Sequence, residues 1–242
     1  MTNFKEVKTN SYEELSKEAA KIIFKDLKSK EDYVLGLATG STPEGMYDAL
    51  AQMINEENLD LSHLTTFNLD EYVGLDENDE QSYHYFMNKH LFSKIDIPKE
   101  NVHILDGVAA DIDQEVALYE EMIDEKGIDI QVLGIGRNGH IAFNEPGTSF
   151  DSLTERVQLT EETIEDNARF FEKKEDVPTE ALSMGLATIM KAKKILLLIS
   201  GANKKEARDL FINGEVTENL PVSILHNHPN VILLTDKDAR GE

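Results

Sequence analysis

Cysteine is missing from the sequence altogether. Without it the protein can form neither a disulfide bond nor a thiol nucleophile, and a cytoplasmic enzyme is the default expectation. Long hydrophobic runs are missing too, because no apolar stretch approaches the roughly 18 residues that a membrane-spanning helix requires. The N-terminal residues are polar and mixed in charge, unlike those of a secretory signal. We therefore expect no membrane partner.

Basic residues are scarce relative to acidic ones. The 242 residues include 24 lysines and arginines but 47 aspartates and glutamates, which gives a formal net charge of −23. Such a surface repels phosphodiester backbones, so we expect no nucleic-acid partner. An anionic small molecule would have to be bound by local cations and backbone amides. The few basic residues near predicted loops are therefore informative.

Predicted strands alternate with predicted helices along the whole chain. The predicted strands are residues 33–37, 64–72, 101–105, 130–135, 195–200 and 231–234. Amphipathic helices lie between them and begin after capping residues such as Ser11, Ser82 and Asp111. This alternation predicts a single α/β domain over residues 1–242, built on a doubly wound, mostly parallel, Rossmann-like sheet.

Residues 152–178 depart from this alternation. The segment is strongly charged and carries few strand signals. We interpret it as a lid segment, an excursion over the edge of the sheet. The next helix is predicted to begin at Thr179 and to continue to about Met190. A later helix is predicted to begin with a capping pair formed by Asn203 and Glu206.

The chemically richest stretch follows the predicted strand at residues 130–135. Glycines loosen the backbone there, and His140 and Glu145 lie five residues apart, with Asn138 and Asn144 beside them. A polar loop at the carboxyl end of a buried strand is where open α/β sheets bind their ligands. We therefore predict that this loop belongs to the active site of an enzyme.

The glycines of this loop also match the dinucleotide-binding fingerprint, because Gly134, Gly136 and Gly139 have the spacing GxGxxG. That fingerprint requires a helix to open at the third glycine, so that a pyrophosphate meets the helix N-terminus. Here Pro146 follows only seven residues later, and the residues between are not typical of a helix. We therefore predict no nicotinamide or flavin cofactor.

A second polar turn lies between the first predicted strand and the next helix. Thr39, Gly40, Ser41 and Thr42 precede Pro43, a residue that suits the first turn of a helix. Hydroxyls and free N–H groups at such a position can bind an anion. An ordinary capped turn explains the same residues equally well, so the turn alone leaves both interpretations open.

Three further polar residues have two interpretations each. Asp70 ends a predicted strand, where a lone acid is commonly a helix cap or a solvated turn residue, but could also be a functional carboxylate held at the same sheet edge as His140. Lys204 lies beside a predicted helix N-terminus, an unfavourable position for a cation unless an anion compensates it. Arg169 stands in an acidic stretch, as an ion-pair partner of its neighbours or as an anion ligand. Because right-handed crossovers put the carboxyl ends of parallel strands at one edge, Asp70, Lys204, the 39–42 turn and the His140 loop should converge.

Together these segments resemble the glucosamine-6-phosphate deaminase family, also known as glucosamine/galactosamine-6-phosphate isomerases. The matching segments are residues 37–43, 66–72, 81–83, 136–146, 169–170 and 200–204. The combination of FNLDEY at 67–72 with GHIAFNEP at 139–146 is the most specific part. The order and approximate spacing match from about residue 33 to residue 234.

The resemblance implies that glucosamine 6-phosphate and water become fructose 6-phosphate and ammonia. On this interpretation His140 moves a proton to open the sugar ring, and Asn138 and Glu145 orient it. Asp70 then transfers a proton from C2 to C1. These roles suit the residue types, because imidazole titrates near neutrality and a carboxylate shielded from water gains basicity.

The resemblance also implies how the phosphate is bound. It would lie against the hydroxyls and amides of the 39–42 turn, chiefly at Ser41 and Thr42, while Arg169 and Lys204 supply positive charge. Neither a metal nor an organic cofactor is implied.

The sequence departs from the family pattern in three places. Many members carry aspartate where this chain has Asn138; an amide can orient His140 but cannot stabilise an imidazolium as a charge. Ser41 replaces a glycine that is common in the phosphate loop. The chain also ends soon after its last predicted strand, whereas hexameric members regulated by N-acetylglucosamine 6-phosphate carry a longer tail. We therefore expect either a monomer or a homo-oligomer.

Two other functions are compatible with the same fold. A 6-phosphogluconolactonase-like enzyme would act on a different sugar phosphate and would not need a base placed like Asp70. A sugar-phosphate-sensing domain of a transcription regulator would normally accompany a DNA-binding helical module, for which the length and the charge leave no room.

Overall fold

The fold is described over residues 4–242 of a computed structural model. The strands in this range are β1 (Phe4–Lys8), β2 (Val34–Leu37), β3 (Thr65–Asn68), β4 (Asp70–Tyr72), β5 (Val102–His103), β6 (Ile130–Leu133), β7 (Glu155–Gln158), β8 (Glu180–Ser183), β9 (Ile195–Ile199) and β10 (Val231–Thr235). Seven of them form a sheet with the order β1–β10–β9–β6–β2–β3–β5, and every neighbouring pair in it is parallel. The predicted α/β fold with a mostly parallel sheet is confirmed.

Helices connect and flank the strands. They are α1 (Tyr12–Leu27), α2 (Glu44–Glu57), α3 (Tyr83–His90), α4 (Ile112–Lys126), α5 (Glu161–Asn167), α6 (Leu186–Met190), α7 (Lys205–Asn213) and α8 (Lys237–Arg240). The predicted caps Ser11, Ser82 and Asp111 each accept a backbone N–H bond from the first turn of the following helix. These bonds satisfy donors that a helix start would otherwise leave without partners.

The direction of winding changes at β2. From β2 the chain continues to β3 and β5 on one side, and it later returns to place β6, β9 and β10 on the other side. Such a switch point leaves a crevice at the carboxyl ends of the two central strands. The 39–42 turn follows β2 and the His140 loop follows β6, so both loops border this crevice.

The central strands are completely buried. All residues of β2, β6 and β9 are buried. The helices α1 and α2 pack against each other, and their buried side chains belong to the same core, among them Leu15, Ile23, Met46 and Leu50. Burial of each large apolar side chain stabilises the folded state by roughly 1.5–3 kcal/mol. The core is therefore a rigid frame for the loops at its edge.

A small antiparallel sheet stands beside the main one, with the order β4–β8–β7. Asp70 of β4 pairs with Ser183 of β8, and Ser183 in turn pairs with Glu155 of β7. Three expectations are corrected here. The predicted strand at 64–72 divides at Leu69, the helix predicted from Thr179 is a strand followed by the short α6, and residues 152–178 contain a strand as well as α5.

The first strand, β1, lies at the edge of the main sheet beside β10 and was not predicted. Its sequence, FKEVK, does not alternate regularly in polarity and carries three charges in five residues, so it offers little periodic signal. In the part of the chain that the structure describes, no helix combines the length and the hydrophobicity needed to cross a membrane.

Candidate active site

One cavity of about 740 Å³ opens at the carboxyl ends of β2 and β6. It brings together eight of the residues that the sequence singled out, namely Thr39, Gly40, Ser41, Thr42, Asp70, His140, Arg169 and Lys204. The other two, Asn138 and Glu145, are outside its lining and contact His140 from behind. The predicted convergence of distant segments on one edge of the sheet therefore holds.

Asp70 contributes a buried carboxylate to the cavity wall. It is the first residue of β4, and its backbone is fixed by pairing with Ser183. Only 6% of Asp70 is exposed. Burial, and after it the negative charge of Glu71, raises the pKa of Asp70 to about 8. A carboxyl group with such a pKa is matched to proton transfer near neutral pH.

The neighbouring acid, Glu71, has a different task. Successive residues of a strand point to opposite sides, and Glu71 is fully buried away from the cavity lining. Its carboxylate accepts backbone N–H bonds from Tyr83 at 2.9 Å and His84 at 3.0 Å, and a ring nitrogen of His84 lies 2.9 Å away. Glu71 therefore attaches the start of α3 to β4, a role that sequence reasoning missed.

His140 is oriented through Asn138. The His140 Nδ1 lies 2.8 Å from the Asn138 Oδ1, and the Asn138 Nδ2 donates to the Glu145 carboxylate at 3.0 Å. Because a carboxylate only accepts, the amide nitrogen must face Glu145 and the amide oxygen must face His140. The His140 Nδ1 is therefore the protonated nitrogen. The Nε2 of a neutral ring is left as the acceptor that can exchange a proton in the cavity.

Glu145 is held on its second oxygen by the lid segment. Both Thr160 and Thr163 donate hydroxyl hydrogen bonds to the Glu145 Oε1, the Thr160 bond at 3.2 Å. Burial alone would raise the pKa of Glu145. The interaction with His140, whose Nδ1 lies 3.6 Å from the Oε2, and the bonds from Thr163 and Asn138 outweigh burial and lower this pKa to about 2. Glu145 is therefore ionised at every pH near neutrality.

The glycines of the His140 loop have a steric role instead of a nucleotide-binding one. A Cβ atom on Gly136 would lie 2.2 Å from the His140 ring, so only glycine lets the imidazole pack against this turn. Gly139 has a φ of +84°, a conformation that other residues rarely adopt. Ala142, which also lines the cavity, has a φ of +50°, a strain of roughly 1–3 kcal/mol of the kind found at functional loops.

Hydrogen bonds from α1 hold the 39–42 turn in place. The Tyr12 hydroxyl donates to the Ser41 carbonyl at 3.0 Å and accepts the Gly45 N–H at 2.9 Å. Gly40 has a φ of +90°, which turns the backbone between β2 and α2. The turn leads into the fourteen-residue α2, whose N-terminus carries partial positive charge. An anion in the cavity at Ser41 and Thr42 would therefore meet a favourable field.

Two cations face the same region. The Lys204 Nζ donates to the Ile135 carbonyl at 2.8 Å, and burial, followed by the nearby charge of Arg169, lowers the pKa of Lys204. Arg169 is exposed and stacks over the Phe170 ring at 4.6 Å. Within residues 4–242 it forms no ion pair, because its acidic neighbour Asp166 pairs with Arg137 instead. Of the two interpretations of Arg169, the ion pair is thus wrong.

The predicted capping pair before α7 is also wrong. No side chain caps α7, and the residue before it is Lys204 in a helical conformation. The turn is fixed instead by Asp236, whose carboxylate accepts the Gly201 N–H at 3.1 Å and the Ser200 hydroxyl hydrogen bond at 2.5 Å. This bond pattern leaves the Lys204 side chain free to reach the cavity.

Two tyrosines also line the cavity. Tyr72 of β4 and Tyr83 of α3 pack with their ring centroids 4.9 Å apart. The Asn167 side chain, from the end of α5, donates to the Tyr72 hydroxyl at 2.9 Å. The lid segment is therefore hydrogen-bonded to the cavity wall at Tyr72.

Two histidines near the C-terminal end of the chain, His226 and His228, have structural partners. The His226 and His228 Nε2 atoms each lie 2.7 Å from a backbone carbonyl, those of Phe211 and Ala192. Within residues 4–242 there is no group of three or more histidines and acids arranged to hold a metal ion.

Comparison with known proteins places this geometry in a family. A family model described as glucosamine-6-phosphate isomerases/6-phosphogluconolactonase matches residues 6–233. Glucosamine-6-phosphate deaminase of Thermoanaerobacter pseudethanolicus is 53% identical over 232 residues, which cover 96% of this chain and 92% of the relative. The deaminase of Oceanobacillus iheyensis is 50% identical over 234 residues, which cover 96% and 94% of the two chains.

Solved structures agree with these relatives. A structure described as a monomeric glucosamine-6-phosphate deaminase superposes with a TM-score of 0.96 at 48% identity, over 98% of this chain and 99% of that one. The 6-phosphogluconolactonase of Thermotoga maritima shares the fold, with a TM-score of 0.77 at 22% identity over 97% and 100% of the chains. The resemblance noted from the motifs is confirmed, and the chain belongs to the family of glucosamine-6-phosphate isomerases and 6-phosphogluconolactonases.

Proposed function

We propose that this protein is a glucosamine-6-phosphate deaminase, which converts glucosamine 6-phosphate and water to fructose 6-phosphate and ammonia. The observation that carries the proposal is that Asp70 and His140 line one cavity together with an anion-binding turn and two cations. Relatives with that name at 50–53% identity over nearly the whole chain support it. A 6-phosphogluconolactonase is the second candidate, because the family includes such enzymes.

In this proposal His140 opens the sugar ring. The protonated Nδ1 is committed to Asn138, so the Nε2 takes the proton of the C1 hydroxyl and delivers it to the ring oxygen as the C1–O5 bond breaks. Proton transfer by a positioned imidazole is effective near neutral pH. The negative charge of Glu145, 3.6 Å from the Nδ1, favours the imidazolium that forms in between. Asn138 supplies orientation without charge.

Asp70 then transfers a proton between carbon atoms C2 and C1. Its carboxylate removes the C2 proton of the open-chain aldehyde while the C1 oxygen takes a proton from the C2 ammonium group, which gives an enolamine, and the carboxyl group then returns its proton to C1. The C2 imine that results adds water and releases ammonia, which leaves the ketone of fructose 6-phosphate. Burial raises the pKa of Asp70 to about 8, and a base of that strength is better suited to a carbon acid than an ordinary carboxylate.

The phosphate is proposed to bind at the 39–42 turn. Ser41 and Thr42 supply hydroxyls, and Lys204 and Arg169 supply charge. Local cations are needed because the protein as a whole carries a net charge of −23, which otherwise repels a dianionic substrate. Arg169 makes no ion pair within residues 4–242, so its guanidinium is available to a phosphate.

The proposal treats residues 1–242 as one catalytic domain that acts in the cytoplasm. We propose that one chain is sufficient for catalysis, since the cavity residues with proposed roles all come from a single chain. This agrees with the description of one similar structure as monomeric. Light scattering on the purified protein tests it: a monomer with full activity supports the proposal, and activity confined to an oligomer contradicts it.

A paired substrate assay tests the function. Purified protein is incubated separately with glucosamine 6-phosphate and with 6-phosphogluconolactone, and ammonia, fructose 6-phosphate and lactone hydrolysis are measured. The proposal predicts equal amounts of ammonia and fructose 6-phosphate from the amino sugar. Lactone hydrolysis without ammonia would identify the second candidate. Binding of the amino sugar without turnover would instead indicate a sensing domain.

A further inference from the structure

The catalytic loop and the lid segment meet at Glu145. Thr160 is the cap of α5 and Thr163 lies in its first turn, and both hydroxyls contact the Glu145 Oε1. Only 2% of Thr163 and 8% of Glu145 are exposed. The Thr163 hydroxyl has a single proton, and this proton points to the Glu145 carboxylate because an ionised carboxylate can only accept, while Thr163 itself can accept from the Thr160 hydroxyl. Thr163 is thus a dedicated donor in a water-poor contact.

Hydrogen bonds connect Glu145 to the imidazole of His140. The other oxygen of Glu145 accepts from the Asn138 amide, and the Asn138 oxygen accepts from the His140 ring. Each partner in this row fixes the next. A carboxylate held on one oxygen keeps the second oxygen in place, the second oxygen decides which way the amide faces, and the amide decides which ring nitrogen carries the proton.

We propose that Thr163 is a positioning residue for His140, acting through Glu145 and Asn138, so that the catalytic imidazole is fully oriented only when α5 of the lid segment is docked. This inference rests on the proposed deaminase function. It adds a role for a lid residue that does not line the cavity. It also explains how Asn138 can orient His140 without carrying a charge. The amide is held by Glu145, and Glu145 is held in place by the lid segment.

Removing the Thr163 hydroxyl should therefore act on turnover more than on binding. In Thr163→Val the shape is kept, but the Glu145 Oε1 loses its Thr163 donor and keeps only the Thr160 contact at 3.2 Å. The carboxylate is then held less firmly, so the Asn138 amide is less firmly oriented and the His140 proton distributes over both ring nitrogens. Small misplacements of a catalytic group are costly, so we expect kcat to fall about 10-fold or more. The Michaelis constant should change less than about twofold, since Thr163 does not touch the substrate.

Three variants make the test specific. Thr163→Ser keeps the hydroxyl, and its kcat should lie within about threefold of the wild-type value. Thr163→Ala carries the same test if the valine variant fails to fold. Thr188→Val is the matched control. Thr188 is also fully buried and donates to a buried carboxylate, that of Glu120 at 2.8 Å, but it lies outside the cavity wall.

Two measurements are made on each protein: steady-state kinetics with glucosamine 6-phosphate, and the ¹⁵N chemical shifts of the His140 ring, assigned with a His140→Gln variant. The proposal predicts that Thr163→Val lowers kcat and changes the His140 tautomer signals, whereas Thr163→Ser and Thr188→Val do neither. Wild-type kcat and unchanged ring signals in Thr163→Val would overturn it. An equal loss in Thr188→Val would also overturn it, because that would show a general packing effect.

Failure of the proposed function would look different. If the wild-type protein forms no fructose 6-phosphate, the deaminase proposal fails in all variants alike. The ring measurement needs no substrate, so it still decides whether Thr163 orients His140.

Discussion

Replacing Asp70 by asparagine should make the folded protein more stable in alkaline solution, although it removes the proposed catalytic base. Asp70 is almost completely buried, and burial, followed by the charge of Glu71, raises its pKa from 3.8 to about 8. The folded state therefore binds the Asp70 proton more tightly than the unfolded state does. The stabilisation from this proton is complete below about pH 4, and it is lost as pH rises through about 8.

The magnitude follows from the same linkage. Asparagine has no proton to lose and keeps the size of the protonated acid, so the variant escapes this loss. Between about pH 5.5 and 8 each pH unit costs the wild type about 1.4 kcal/mol of unfolding free energy, and the cost levels off above the folded pKa. The difference in unfolding free energy between variant and wild type should therefore grow by about 3 kcal/mol from about pH 5.5 to about pH 9.

Urea unfolding followed by circular dichroism measures this difference at each pH. Asp96→Asn serves as the control, because Asp96 is exposed and its replacement removes one carboxylate without touching the cavity. Asp70→Asn should gain stability relative to both proteins as pH rises. A constant difference between Asp70→Asn and the wild type over the whole pH range would refute the argument that burial holds a proton on Asp70.

Three further predictions concern the same cavity. First, kcat/KM should rise with pH up to about 8, because the proposed base must lose its proton first; a pH–rate profile with no ascending limb in this range would contradict that role. Second, Glu71→Gln should move this ascending limb to lower pH, because it removes a negative charge beside Asp70. The same change should lower the free energy of unfolding in urea by about 1.5–3 kcal/mol, because it weakens the hydrogen bonds that attach α3 to β4. Third, Lys204→Ala should raise the Michaelis constant by about 10- to 150-fold, the equivalent of 1.5–3 kcal/mol for one charged hydrogen bond, and an unchanged constant would remove Lys204 from the phosphate site.

The parallel framework could be predicted because its signals are local. The strand β9 is a short apolar run bounded by polar residues, and helices such as α1 and α4 begin at caps that bond to their own first turn. Since parallel strands end at one edge, the residues that follow them could be grouped into one site before any distance was known.

The small antiparallel sheet could not be predicted, because its strands depend on partners far away in sequence. Residues 181–190 contain apolar positions that suit a helix as well as a strand, and only pairing of β8 with β4 and β7 decides between them. The same pairing divides the strand predicted at 64–72 after Leu69. That division is what turns Asp70 into the cavity and Glu71 toward α3.

Supporting contacts around the site were also beyond sequence reasoning. The family resemblance implied that Asn138 and Glu145 orient His140, but nothing local indicated that Thr163 holds the second oxygen of Glu145. These contacts join the lid segment to the catalytic loop across 18 residues of chain, and they depend on the docking of α5.

The central claim is that one buried aspartate and one oriented imidazole divide the proton transfers of an amino-sugar phosphate. The most direct measurement compares wild-type protein with Asp70→Asn, using calorimetry for binding of glucosamine 6-phosphate and a coupled assay for fructose 6-phosphate and ammonia. The account predicts that both proteins bind the substrate and that only the wild type releases both products. Wild-type rates of product release by Asp70→Asn would contradict it.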